Sequence, residues 1–229
     1  YFKKFISKQN KNINNIFNLK QKLKQKLSLF PELIYLTNSD FLTYRIPLNL
    51  NNYLIFDKKA DFKPGKKYRY SNTNYLLIGE ILDRTLGYSH HDYIKSEILQ
   101  PLHLENTYSL LSEVDSNKVM SGYYVGYEDD LKMNDYTRPG GSMIATAEDV
   151  SIFLRALIDG SLLSEEEQEI YSSVYKYEHT GWLNGYTSIA RYESDIDAVI
   201  VQFVNTSKGE IFWLGLERSY SRILRAVKK

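Results

Sequence analysis

The sequence predicts an α+β fold, with a helical subdomain beside an antiparallel sheet flanked by terminal helices. Three observations predict it. Apolar residues recur at helical spacing over 74–86 and again after Thr146. The last third changes period, to short segments rich in Tyr, Thr, Ile and Val. An amphipathic pattern then closes the chain. Helices grouped before strands, rather than alternating with them, favour α+β over α/β.

The chain of 229 residues is 43% hydrophobic, enough to bury a core of its own. A single domain is expected over 1–229, with an incomplete or degenerate part at 1–60, a helical subdomain at 61–170, and terminal strands with a closing helix at 171–229. Formal charge is +1, but residues 1–31 hold eight lysines and no acid, so the remainder carries about −7. That segment suits contact with an anionic surface, or else a solvated helix face. No nucleic-acid motif accompanies it, so nucleic acid is not expected as a partner. There is no cysteine, which excludes disulfides and thiolate chemistry. No apolar run approaches the roughly 18 residues that span a bilayer. The first residue is Tyr1 and no signal sequence is visible, so a missing upstream segment is expected.

Ile13, Ile16, Phe17, Leu19, Leu23 and Leu27 predict a basic amphipathic helix that Pro31 ends. Residues 31–64 read as loop with short helical pieces. Tyr75, Leu76, Ile78, Leu82 and Leu86 then form a stripe, with Asn72 or Thr73 as cap and Gly87 as stop. A second helix is expected over Ser89–Leu99, before Pro101. Residues 107–138 show little periodicity. A third helix opens at Thr146, with Asp149 completing a variant capping box, and carries Val150, Phe153, Leu154, Leu157 and Ile158 to Gly160. Glu165 to Glu167 reads as a solvated run. "YEHTGW", "GYTSIARYE" and "DAVIVQFVN" predict a three-strand meander. The closing helix, from about Glu210 to Val227, would use Ile211, Leu214, Leu216, Ile223 and Leu224.

Three stretches carry chemistry. "FKPGKKYRYSNTNYLLIGEILDRTLG" runs on into "YIKSEILQPLHLENTY", "RPGGSMIATAEDVSIFLRALIDGSLLS" follows, and "HTGWLNGYTS" comes last. In that order they resemble the serine β-lactamase-related, penicillin-recognising hydrolases: class C β-lactamases, D-alanyl-D-alanine carboxypeptidases and lactamase-like esterases. The resemblance covers about residues 60 to 205. It implies acyl-enzyme chemistry on a D-amino-acid peptide, β-lactam or ester, in a protein exported to a wall-facing location.

By that resemblance, Tyr70 of the Tyr-x-Asn motif acts as base or proton relay. A cationic neighbour can lower a phenol's pKa far enough for such a role. Asn72 would fix a lysine and a substrate amide, since its side chain both donates and accepts; helix capping competes for the same group. His179 stands where the best-known members carry lysine and would support proton transfer or, when protonated, hold a carboxylate. Thr180 and Gly181 would lie on an edge strand where substrate meets backbone, with Gly giving room. The Trp182 N–H would serve as an oxyanion donor. His90, His91 and His103 show no ligand spacing, so no metal is expected, and no cofactor. A monomer with a small-molecule or peptide substrate is the expected state.

The family's nucleophile is the Ser of Ser-x-x-Lys. Only Ser173 with Lys176 has that spacing, on an expected strand or its approach, and it reads as coincidence. Ser7 is followed by Asn10, not Lys, at the third position. "LTNSD" at 36–40 resembles a worn form of the family's Leu-Thr-His-Thr-Ser-Gly loop. The expectation is therefore either a truncated hydrolase or a non-catalytic descendant that binds a wall peptide or a protein.

Overall fold

The computed structural model describes residues 61–228 apart from 64, 65, 68, 135, 138 and 210. The expected basic helix at 13–27, Ser7 and the "LTNSD" loop lie outside the described residues. Contacts divide the chain into two units, Tyr1–Asp92 and Tyr93–Lys229.

In the first unit, α1 spans Asn72–Leu86. It starts two residues before the expected Asn74, so Asn72 is its first helical residue rather than its cap. Ser71 takes the preceding position, buried, and its carbonyl accepts from Asn74 N–H at 3.2 Å. Ile78, expected on the apolar stripe, is half exposed. Gly87 adopts φ +80° and donates its N–H to Asp83 O at 2.9 Å, closing the helix as its sequence position suggests.

Helix α2, His90–Ile94, continues as a π-helical turn over Lys95–Leu99, matching the expected second helix. Its start is held twice. Ser89 Oγ accepts from His91 N–H at 3.2 Å, and Asp83 Oδ1 of α1 accepts from His90 N–H at 2.6 Å.

The second unit is built on an antiparallel sheet. β2 (Glu178–Leu183), β3 (Tyr186–Glu193) and β4 (Ala198–Val204) pair in the order β2-β3-β4. This is the expected meander, with His179 opposite Ala190 and Ile189 opposite Gln202. A small parallel pair, β1 (Tyr123–Tyr124) with β5 (Thr206–Ser207), forms a second sheet beside it, where Thr187 Oγ1 of β3 donates to Thr206 O at 3.1 Å.

One face of the sheet is covered by the closing helix α5, Ile211–Val227. Ile189 and Ile200 pack there against Leu216 and Tyr220, with Val204, Trp213 and Leu224 around them. The helix keeps Leu216 and Leu224 of the expected stripe but turns Leu214, 61% exposed, and Ile223, 38% exposed, outward. Trp213, Leu216, Tyr220 and Leu224 follow at spacings of three, four and four, the face a straight helix turns to one side.

The other face carries α3, Ala147–Ile158, which lies against β3 and β4. Its Arg155 sits 5.3 Å over the Tyr192 ring and bonds Asp197 at 2.6 Å. Thr146 caps α3 as expected, accepting from Asp149 N–H at 3.2 Å. The buried Asp149 carboxylate does not complete the box. It accepts instead from Asn106 N–H and Thr107 Oγ1, at 2.9 and 2.7 Å, and so pins a distant loop.

Between α3 and β2 lies α4, Glu165–Val174, where the sequence reading had only a solvated run. Ser164 and Glu167 form a full capping box, and three glutamates occupy the positive end of the helix dipole. Ser173 therefore stands on a helix and not on a strand or its approach.

Candidate functional site

Tyr70 and Asn72 belong to the first unit; His179, Thr180, Gly181 and Trp182 belong to the second. Tyr70 is 47% exposed just ahead of α1, with its ring centroid 5.9 Å from that of Tyr75. Asn72 is exposed on the first turn of α1.

The remaining four residues share β2, which among the described residues has a strand neighbour on one side only. Tyr192 N–H donates to Tyr177 O at 3.0 Å. In an antiparallel ladder, bonded and non-bonded pairs alternate. With the β2–β3 register, residues 179, 181 and 183 therefore bond to β3, while the backbone groups of Thr180 and Trp182 turn toward the outer edge. The Trp182 N–H thus lies on the side of β2 away from β3.

Gly181 has a different reason from the one expected. A Cβ there would meet Ser188 Oγ at 2.4 Å, so its small size serves the cross-strand neighbour inside the sheet.

His179 is held by a residue that the sequence reading missed. Tyr175, which ends α4, places Oη 2.5 Å from His179 Nδ1, with ring centroids 6.0 Å apart. Tyr171 meets Tyr175 edge-on at 5.9 Å and stacks on Tyr177 at 5.1 Å, so the histidine closes a row of aromatic rings. Desolvation by these neighbours holds the imidazole below its ordinary 6.5, although the residue as a whole stays exposed. A protonated, carboxylate-holding His179 is therefore disfavoured near neutral pH. Tyr175 precedes His179 by four residues, but a helix end and a turn into a strand intervene. No periodicity links the two.

Ser173 Oγ donates to Ile170 O of its own helix at 2.7 Å. Lys176 Nζ lies 3.9 Å from Glu178 on a side chain 85% exposed. The pair is not arranged as nucleophile and base.

One histidine departs from the sequence reading, which gave it no acidic partner. His90 Nδ1 lies 2.8 Å from Asp83 Oδ1. The spacing of seven crosses a helix boundary. Among the described residues no group of three or more His, Cys, Asp or Glu side chains could hold a metal ion.

A family model described as Beta-lactamase matches residues 37–176, more than half of the chain. The chain belongs to the β-lactamase family. Protein flp of Staphylococcus aureus is 24% identical over 183 residues, covering 76% of this chain and 36% of that protein. The D-amino acid amidase from Ochrobactrum anthropi SV3, in complex with D-phenylalanine, aligns with a TM-score of 0.64 at 22% identity, over 74% of this chain and 61% of that one. A penicillin binding protein from Bacillus halodurans aligns with a TM-score of 0.59 at 18% identity, over 72% and 60%. The helices and antiparallel sheet are thus those of the β-lactamase/transpeptidase-like fold. The chain spans about a third of the length of the curated relatives it matches.

Proposed function

We propose that the chain carries the substrate-holding part of a serine acyl-transfer centre, acting on a D-amino-acid peptide or amide, a β-lactam or an ester. The observation that carries this reading is β2: an edge strand whose Thr180 and Trp182 backbone groups turn outward, beside a histidine fixed by Tyr175. An edge of this kind receives an extended substrate through main-chain hydrogen bonds. An N–H directed at the scissile carbonyl stabilises the charge that develops there. In this reading Thr180 and Trp182 meet the substrate main chain on β2, while proton relay by Tyr70 and amide binding by Asn72 are the roles the family resemblance proposes for the first unit. Wall-facing substrates place the protein outside the cytoplasm; no described helix is long and apolar enough to cross a membrane.

A non-catalytic binder of the same peptide, or of a protein partner, would share this strand. The intrahelical bond of Ser173 favours that reading wherever Ser173 is the only candidate nucleophile.

The test is an amide NMR titration of the 229-residue chain with a D-alanyl-D-alanine peptide and its L,L counterpart. The Thr180 and Trp182 amides are expected to shift with the D,D peptide and much less with the L,L one. Equal or absent shifts in β2 would remove the reading.

A further inference from the structure

We propose that Tyr175 is a positioning residue: its phenol donates to Nδ1 of His179 and leaves Nε2–H as a neutral donor, suited to the carbonyl of an amide or ester without selecting for a free carboxylate. The substrate half of this inference rests on the edge-strand reading above; the tautomer half stands on geometry alone.

The contact is short and lies at Nδ1, 2.5 Å from Oη. A neutral imidazole has one donor nitrogen and one acceptor, so whatever bonds Nδ1 fixes the role of Nε2. A phenol donates more readily than it accepts. With its hydrogen on Nδ1's lone pair, the ring's proton must reside on Nε2.

The neutral state follows from the surroundings. Tyr171 of α4 and Tyr177, just before β2, continue the aromatic row. From β3, the residue opposite His179 is the uncharged Ala190. The charged neighbours along the chain are Lys176, just before β2, and Glu178 on it, which lie 3.9 Å from each other, and Glu178 lies 3.4 Å from Arg191. On α3, Arg155 is held by Asp197. Among the described residues no carboxylate forms an ion pair with the ring, and desolvation opposes a proton there.

A neutral donor and a cation select different ligands. A cation rewards a carboxylate, whereas a neutral N–H bonds a carbonyl without requiring the ring to take up a proton first. His179 at the lysine position of the best-known family members thus changes the kind of acyl substrate favoured, and Tyr175 makes that change hold at neutral pH.

The experiment has two arms on the full chain. Long-range ¹⁵N NMR reads the His179 tautomer in wild type and in Tyr175→Phe, which keeps the ring and removes only the hydroxyl. Wild type is expected to show protonated Nε2 and an accepting Nδ1. The variant should show a mixed tautomer and a higher titration midpoint, with unchanged circular dichroism. A protonated Nδ1 in wild type, or the same tautomer and midpoint in both proteins, overturns the proposal.

In the second arm, N-acetyl-D-alanyl-D-alanine amide and the corresponding free acid are titrated at pH 7. The acid should gain no more than about fivefold over the amide, the worth of one net hydrogen bond, because the ring adds no ion pair. A larger preference for the acid overturns the substrate half. If neither probe moves a β2 amide while the tautomer is as expected, the edge-strand reading fails and the Tyr175–His179 lock is supported.

Discussion

The Asp149 carboxylate accepts from Asn106 N–H and Thr107 Oγ1 while its own N–H is capped by Thr146. Two loop donors thus depend on one buried acceptor. Asp149→Ala should cost about 2–3 kcal/mol, the penalty of stranding buried donors, whereas Thr146→Ala should cost about 1 kcal/mol for a lost cap. Urea unfolding of both variants checks the order, and a larger loss for Thr146→Ala would refute it. His179 gives a second prediction at this scale. Its folded pKa lies below the unfolded 6.5, so both states are neutral at high pH and the unfolded state binds the proton first as pH falls. His179 therefore erodes stability as pH drops through about 6.5 toward the depressed folded value. His179→Gln should remain flatter than wild type across that window in pH-dependent denaturation. A steeper loss in the variant would contradict the burial argument. Of the residues picked from sequence, His179, Thr180 and Trp182 could be read because a short motif fixes their order on one strand. Tyr175 could not, since its contact depends on how α4 turns into β2.

The elements differ in how openly the sequence declares them. β2, β3 and β4 stand out through period-two runs broken by "LNG" and "SDID", and the structure pairs them in chain order. Helix α3 is announced by its Thr146 cap and apolar stripe. Helix α4 was hidden by its composition: three glutamates look like solvent-exposed charge until Ser164 and Glu167 are seen three residues apart. On α5 the helix and two of its inner residues, Leu216 and Leu224, were legible, but Leu214 and Ile223 could not be told from them, because only the sheet chooses among its apolar residues. That choice yields a direct comparison. Leu216→Ala should cost about 2–4 kcal/mol, since Leu216 is 3% exposed in the cluster with Ile189 and Ile200. Leu214→Ala, at a position 61% exposed, should stay within about 0.5 kcal/mol of wild type. Thermal unfolding of the two variants measures this, and equal losses would mean that the helix is seated differently.

At the scale of the whole molecule, family membership and catalytic competence are separate questions. The family match and the solved structures fix the fold, yet a serine reacts only when a base is held against its hydroxyl. Ser173 has the spacing of the family motif without the arrangement. Its Oγ is bonded to Ile170 O, and Lys176 lies beyond the helix end, exposed and nearest to Glu178. Nothing in that geometry lowers the barrier to removing the serine proton. Intact mass spectrometry of the 229-residue chain after incubation with benzylpenicillin should therefore show no adduct on Ser173, and none on Ser7, whose third following residue is Asn10. Ser173→Ala should leave the spectrum and the binding of a D-alanyl peptide unchanged. A stoichiometric acyl adduct mapped to Ser173 would show that α4 and β2 rearrange to bring Lys176 onto the hydroxyl, and the reading of β2 as a binding edge beside an inert helix end would have to be abandoned.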